Sequence, residues 1–434
     1  MVQRTGFALL RSMASTDQPH ATQRSSHTSL HSHSSFPTLA ETDSRSIPCS
    51  SASFKELIPT HTINLSLPPA QRYLKVVEDY KGVLQDLPLI CNNLIEAYHL
   101  SNISRLIDLL ARVTLRKLHN EEETEELKGI SKASGTPMRY LIFMNILLDF
   151  CMGCTSGGIA TKVDGETKAS MLHFRTLDWE VPELRRAIVM LEFVENSDGP
   201  VIARSTTYAG FVGVLTGVRR GLSVSLNARP YHKNTKFYGH LLLVLLGLRP
   251  NIASLLRTFV VPRTQTGTNG DITVILPTRN LSDITKEFPA IPTTSAYLVL
   301  CDGKETVVLE KDRTTAKQLR SSCFIAATNH DALDDDNVPK NPFCRNSKAR
   351  KRCLADRWRR KCEEMKNPHR EANWDEEQGF VTLRELEEWI RASPTTNELT
   401  HFATIMDPDQ GDIKWMRRYD VGEAIASWTD EDEV

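Results

Sequence analysis

The sequence predicts an α+β protein. Three observations carry this: short segments in which apolar and polar residues alternate, tight Gly-containing turns that join them as hairpins, and stretches of helical period interspersed among them. No internal repeat is visible.

Residues 12–53 are rich in Ser, Thr and His, poor in aromatics and without period, so burial cannot repay their ordering entropy. Residues 1–54 are therefore expected to be a disordered or targeting tail. Within residues 1–40, Arg4, Arg11 and Arg24 against a single acid, Asp17, are in keeping with a transit peptide, whereas the apolar run Gly6–Leu10 is shorter than the roughly 7–15 residues of a signal-peptide core. His27, His31 and His33 read as a solvated tail rather than a metal site.

Thr60 to Leu67 has strand character and stops at Pro68-Pro69. Ala70 to Leu87 is helical, with Leu74, Val77, Tyr80, Leu84 and Leu87 at three- and four-residue spacing. Pro88 breaks it or starts a second helix running to about Leu100. Asn120 and Glu123 mark a capped helix start and Gly135 its end. Thr136-Pro137 opens a helix from Met138 to Asp149 that is apolar on nearly all sides, as a buried helix is.

That helix leads straight to Cys154. Asp164-Gly165 between two short apolar and β-branched segments predicts a hairpin. If those two residues form the loop, Val163 faces Glu166 and Cys154 faces Arg175. A guanidinium beside a thiol lowers its pKa, and the thiolate is the nucleophile. Taken alone, a lone cysteine is more often a small core hydrophobe. Asp178, three residues beyond Arg175, falls on the other face of an ideal strand and needs a bend or the strand end to join the site.

Further strands are expected over Ala187–Val194, Val201–Arg204, Val212–Thr216 and Leu222–Arg229. Gly210, Gly213 and Gly217 point to close backbone approach; no dinucleotide fingerprint follows them. Phe237 to Leu248 reads as a buried helix or as an apolar wall facing an acyl chain or lipid. Ser295–Leu300 and Glu305–Glu310 form a hairpin, and Phe324–Ala327 leads as a strand into Thr328-Asn329-His330-Asp331. Residues 332–378 are charged and irregular, with the basic run Arg345–Arg360 read as a solvated helix face. A helix over Val381–Arg391 precedes a last hairpin, Thr400–Met406 with Asp412–Tyr419, and the acidic tail frays.

Composition excludes several functions. With 53 basic and 54 acidic residues the net charge is −1, so nothing draws the chain to nucleic acid. No apolar run approaches the roughly 18 residues of a membrane span. Of nine cysteines only Cys151 and Cys154 have CxxC spacing, without a second pair or a βαβ context, so neither a zinc site nor a redox motif is supported.

Cys154-Thr155-Ser156, the pair Arg175 and Asp178, and Thr328-Asn329-His330-Asp331 resemble the acid ceramidase and N-acylethanolamine-hydrolysing acid amidase family. This is a part of the choloylglycine-hydrolase branch of the N-terminal-nucleophile hydrolases. The resemblance extends through Pro59–Pro69 and Tyr208–Gly217 and covers roughly residues 55 to 420. It implies an αββα sandwich: a mainly helical segment over 55–153, the α-chain, and a catalytic β-chain over 154–425 that stay associated after self-cleavage before Cys154. Cys154 would supply the thiol nucleophile and, through its freed α-amine, the base. Arg175 would stabilise thiolate and substrate, Asp178 would orient the α-amine, and Asn329 would donate to the oxyanion. Asn227 matches a further site asparagine, but the family's Asn-Glu-Arg is here Asn227-Ala228-Arg229. The family's later arginines map onto Arg345 or Arg350, to which no role is assigned. The resemblance also implies a Cys49–Cys353 disulfide in an oxidising compartment, and lysosomal, vacuolar or secreted placement, with a cytoplasmic enzyme the alternative. No cofactor or metal is expected. The expected activity is hydrolysis of N-acyl lipids, ceramide-like or N-acylethanolamine, with peripheral contact to lipid surfaces. An acyltransferase using the same cysteine and a non-catalytic lipid-binding relative are the competing classes.

Overall fold

Two sheets lie face to face with helices outside each, which is the αββα arrangement. The computed structural model describes residues 58–97, 104–147, 153–165, 168–230, 235–267, 269–332, 342–365 and 379–423. The expected tail with its histidines, Cys49, Cys151 and the acidic C-terminus lie outside the described residues.

In chain order the elements are β1 (Thr60–Asn64), α1 (Leu74–Ala97), α2 (Ser104–Thr114), α3 (Glu121–Ser134) and α4 (Met138–Leu147). Next come β2 (Gly153–Lys162), β3 (Ser170–Asp178), β4 (Ile188–Val194), β5 (Val201–Tyr208), β6 (Thr216–Arg219) and β7 (Leu222–Ala228). Then follow α5 (Thr235–Leu245), α6 (Ile252–Val260), β8 (Arg263–Thr266), β9 (Ile272–Ile275), α7 (Leu281–Glu287), β10 (Ala296–Cys301), β11 (Thr306–Lys311), β12 (Ala316–Ser321) and β13 (Phe324–Ala327). The chain closes with α8 (Pro342–Met365), β14 (Val381–Thr382), α9 (Leu383–Arg391), β15 (Thr400–Asp407) and β16 (Asp412–Arg418).

The large sheet has the order β1-β4-β5-β6-β7-β10-β11-β12, and the small one β13-β2-β3-β15-β16 with β14 beside β2. β1–β4 and β14–β2 pair in parallel; the other ladders are antiparallel. Helices α1, α3, α4 and α6 share one core with the large sheet. Leu354 of α8 and Leu386 and Ile390 of α9 pack with Ile159, Phe174 and Ile405 of the small sheet. Between the sheets, His173 on β3 spans Ser223 (Nδ1, 2.9 Å) and Ser225 (Nε2, 2.8 Å) on β7. Close approach is enforced at Gly158 of β2, where a Cβ would fall 1.8 Å from Thr306 Oγ1 on β11. At the rim, His401 on β15 takes a hydrogen bond from the Tyr208 hydroxyl at Nδ1 (2.8 Å) and donates from Nε2 to Trp179 O (3.1 Å).

Three expectations change. Pro88 neither breaks nor restarts the helix but lies inside α1. Proline cannot donate to the carbonyl four residues back; here the Thr136 hydroxyl donates to Leu84 O at 2.9 Å instead, so the helix continues. Val212–Thr216 is a loop up to Thr216, because its donors face helices: Val212 N goes to Asn145 Oδ1 (2.9 Å) and Val214 N to Ala253 O (3.1 Å). The basic run is not wholly solvated: it belongs to the 24-residue α8, which buries Cys344, Ser347, Arg350 and Leu354.

The helical layer encloses a charge cluster. Arg257 grips Glu126 with two hydrogen bonds (2.5 and 2.7 Å), and Arg72 reaches Glu126 (3.1 Å) and Glu122 (2.5 Å). Glu123, taking a hydrogen bond from Ser254, makes a third carboxyl against two guanidiniums. Burial, before any other cause, pushes Glu123 up from 4.5 to about 7, so it holds a proton that balances the cluster. A raised folded-state pKa means stability fully present below pH 4.5 and lost as pH rises through about 7. The wild-type Tm should therefore fall relative to Glu123→Gln across that window. A constant difference between the two melting curves from pH 4.5 to 7.5 would show that the proton is not there.

Candidate active site

Cys154 is the second residue of β2 and has no exposed surface. The hairpin register differs from the expected one by two residues. Gly153 pairs with Asp178, Cys154 with Leu177 and Ser156 with Arg175, and pairing ends at Thr161–Ser170. Asp164-Gly165 does turn, with Gly165 at φ +86°, but within a loop longer than two residues. Because side chains alternate with period two, an even shift keeps Arg175 on the face of Cys154. The guanidinium thus meets the thiol diagonally, Arg175 Nη2 donating to Cys154 Sγ at 3.4 Å.

Arg175 is also fully buried, its Nη1 donating to Leu226 O at 2.7 Å and lying 3.5 Å from Asn227 Oδ1. Asn227, at the end of β7, accepts from Ser156 Oγ (2.8 Å) and donates Nδ2 to Ala327 O (3.1 Å) and Thr328 O (3.4 Å). Asn329 follows β13. Its Oδ1 accepts from the Cys154 backbone N (2.9 Å) and from Arg350 Nη2 (3.0 Å), while its Nδ2 donates to Ala228 O (2.9 Å). In this intact chain, therefore, Asn329 holds the nitrogen of Cys154, the task expected of Asp178.

Asp178 ends β3, and that position brings it to the site from the other face. Its carboxylate takes hydrogen bonds from Thr400 Oγ1 (2.6 Å) and Asn397 Nδ2 (3.3 Å) and lies 3.5 Å from Arg350 Nη1. It abuts Gly153 so closely that a Cβ there would sit 3.3 Å from Asp178 Cβ and 3.7 Å from Oδ2. Glycine before the cysteine leaves that carboxylate its place.

The sequence left one residue without a role. Arg350, 1% exposed, donates from Nη1 to Cys154 O (2.6 Å) and Thr155 Oγ1 (2.6 Å), besides its contact with Asn329. The signal was present: Cys344, Ser347, Arg350 and Leu354 recur at three- and four-residue spacing, the inward stripe of a helix. Thr400 and Asn397, which hold Asp178, carried no comparable signal.

The electrostatics differ from the expected lowering of the thiol. Burial pushes the Cys154 thiol up, and the guanidiniums of Arg175 and Arg350 only partly counter it. Burial likewise raises Asp178, opposed by Arg350 and by the hydrogen bonds from Thr400 and Asn397. Among the described residues Cys353 has no disulfide partner, and Cys49, its expected partner, lies outside them. Among the described residues no cluster of His, Cys, Asp and Glu could hold a metal ion, and no helix is long and apolar enough to cross a membrane.

Replacing Arg350 by Met should strip donors from Cys154 O, Asn329 and Asp178 together and leave a buried carboxylate unpaired. A loss of about 3–5 kcal/mol is expected from urea unfolding. A loss below about 1 kcal/mol would mean that water or another group replaces the guanidinium at no penalty.

Comparison with known proteins agrees with the motifs. A family model described as the beta subunit of N-acylethanolamine-hydrolyzing acid amidase matches residues 56–119, within the mainly helical segment. The acid ceramidase of Balaenoptera acutorostrata scammoni is 32% identical over 208 residues, 44% of this chain and 50% of that protein. The N-acylethanolamine-hydrolyzing acid amidase of Caenorhabditis elegans is 35% identical over 183 residues, 39% of this chain and 48% of that protein. The solved structure of a Caenorhabditis elegans N-acylethanolamine-hydrolyzing acid amidase ortholog is 21% identical, with a TM-score of 0.41 over 61% of this chain and 100% of that chain. The chain thus spans about half the length of the curated relatives it matches. By sequence it is similar to the acid ceramidases and N-acylethanolamine-hydrolyzing acid amidases.

Proposed function

We propose that this chain is a self-processing cysteine amidohydrolase that cleaves the amide bond of N-acyl lipids, ceramide-like or N-acylethanolamine. The observation that carries the reading is that three polar groups converge on Cys154: Asn329 on its nitrogen, Arg175 on its sulfur and Arg350 on its carbonyl. A buried cysteine serving only as core needs partners for its backbone N–H and C=O but no guanidinium on its sulfur.

Cleavage of the Gly153–Cys154 peptide would turn that nitrogen into an α-amine, with a reference pKa of about 7.7–8.0, within reach of its own thiol. The amine takes the thiol proton and sulfur adds to the amide carbon of the substrate. The tetrahedral intermediate collapses with the proton passing to the leaving nitrogen, which departs as the free amine. Water then adds to the thioester, the amine again taking a proton, and the carboxylic acid leaves as the thiol is restored. Arg175 stabilises the anionic sulfur, and Asn329, once its amide turns from Ala228 O, becomes an oxyanion donor.

Cleavage before Cys154 should split the 48.9 kDa chain into pieces of about 17 and 32 kDa by length, while Cys154→Ala stays whole. The cleaved enzyme should release fatty acid from ceramide or an N-acylethanolamine in preference to penicillin V, and the same assay with added amine separates hydrolysis from acyl transfer. A full-length wild-type protein that turns over these amides at full rate would sink the self-processing mechanism.

Contact with a lipid surface belongs to the same reading. Leu109, Leu110 and Val113 on α2 and Tyr238, Leu242 and Leu248 in and after α5 are exposed, with Arg112, Arg116 and Lys117 exposed beside them. The two stretches adjoin, since a Cβ on Gly247 would lie 2.7 Å from Lys117 O. Apolar side chains ringed by cations fit an anionic membrane surface. Sedimentation with phosphatidylserine-containing vesicles should pull down the wild type and leave Leu110→Glu/Leu242→Glu in solution. Equal pelleting of both would exclude this face.

A further inference from the structure

Three consecutive residues at the end of β7 hold three positions after β13, although the two strands belong to different sheets. Asn227 Nδ2 donates to the carbonyls of Ala327 and Thr328, and Ala228 O accepts from Asn329 Nδ2. Arg229 then grips Asp331 side-on, Nε to Oδ1 at 2.8 Å and Nη2 to Oδ2 at 2.5 Å. The outer rung is the charged one. Arg229 and Asp331 are 6% and 8% exposed, Tyr297 on β10 donates its hydroxyl to Asp331 Oδ1 at 2.7 Å, and Asp312 accepts from Arg229 Nη1 at 2.8 Å.

We infer that Arg229 and Asp331, with Tyr297, are positioning residues that set Asn329 against the Cys154 nitrogen. Asn329 lies two residues past the end of an edge strand of the small sheet, in a segment that β13 pairing no longer fixes. On the side of α8 the segment is held by Ser347, which accepts from Asn329 N at 2.8 Å, and by Arg350; the clamp supplies the charged tie to the large sheet. In the intact chain the oxygen and the nitrogen of the Asn329 amide reach opposite sheets at once, Cys154 N on β2 and Ala228 O on β7. A bidentate arginine–carboxylate pair fixes both distance and orientation, and its burial shields it from screening. Removing one partner leaves a buried charge and takes away the charged tie that holds the segment carrying Asn329 to the large sheet. The charged rung therefore acts on the site through Asn329, not by touching substrate.

This inference rests on the proposed amidohydrolase reading for its kinetic test, but its structural test stands apart. Arg229→Gln should lower kcat on the order of a hundredfold with KM little changed, as a misplacement of about 1 Å does. The loss should vanish when Asn329 is already Ala, because the clamp then has nothing to place; a merely structural pair would cost the same in both backgrounds. Tyr297→Phe, which removes one hydroxyl and keeps the ring, guards against a variant that fails to fold and should cost about fivefold in kcat. A crystal structure of either variant should show Asn329 Oδ1 withdrawn beyond hydrogen-bond reach of Cys154 N. Wild-type kcat in Arg229→Gln, additive losses with Asn329→Ala, or an unmoved Asn329 would each overturn the clamp. A wild-type protein that hydrolyses no N-acyl amide would overturn the amidohydrolase reading alone, leaving the crystal structures to judge the clamp.

Discussion

Two guanidiniums, a carboxylate and a thiol are taken out of water together at one point between two sheets, and the rest of the architecture answers that constraint. Isolated, any of these charges would be expelled or neutralised on burial. Here Arg175 has the Leu226 carbonyl and the thiol, Arg350 has the Cys154 carbonyl, Thr155 and Asn329, and Asp178 has Thr400, Asn397 and Arg350. Those partners come from β2, β3, β7, α8, β15 and the segments after β13 and α9. The site is therefore a property of the whole sandwich. A change that lets the sheets slide would strand the charges before it exposed any apolar core.

The same rule organises the helical layer, where carboxyls from α3 meet Arg72 and Arg257. Both clusters lie where elements distant in sequence meet: Arg350 is 196 residues from Cys154, and Arg257 is 131 from Glu126. Buried polar networks of this kind fix one packing among many that apolar contacts alone would tolerate.

Much of this was legible in the chain, and the reasons are local. Asn120 and Gly135 fix α3 because capping needs only neighbours, and the hairpins around Gly303 and Gly411 follow from turn chemistry. Asn251 before α6 and the Asn280–Asp283 box before α7 carried equally local signals that went unread. Other features lay beyond the sequence. The survival of α1 through Pro88 depends on Thr136, 52 residues from the carbonyl it serves. At the site, the thiol–guanidinium contact was readable because alternation survives an even register error, as Ser156–Arg175 in place of Cys154–Arg175 demonstrates. The sign of the thiol's shift was not, since it turns on burial that only the stacked sheets create. Arg350 was hidden in a run of cations whose composition suggested solvent, although its spacing did not.

The His173 bridge between the sheets has a consequence for the whole molecule. Each ring nitrogen meets a serine hydroxyl, and burial first, then the neighbouring Arg175, lowers the imidazole from 6.5 to about 3; His401 is lowered to about 3 as well. A depressed folded-state pKa contributes stability above 6.5 that is lost as pH falls toward 3, because the unfolded chain takes up protons that the folded one refuses. Glu123 in the helical layer works in the opposite direction over an overlapping range. Between about pH 4.5 and 6.5 the two effects oppose each other, but two histidines stand against one carboxyl, so folding in that window still releases about one net proton and acid lowers stability on balance. A drop in pH therefore removes the stability that the two buried histidines contribute and returns part of it through Glu123.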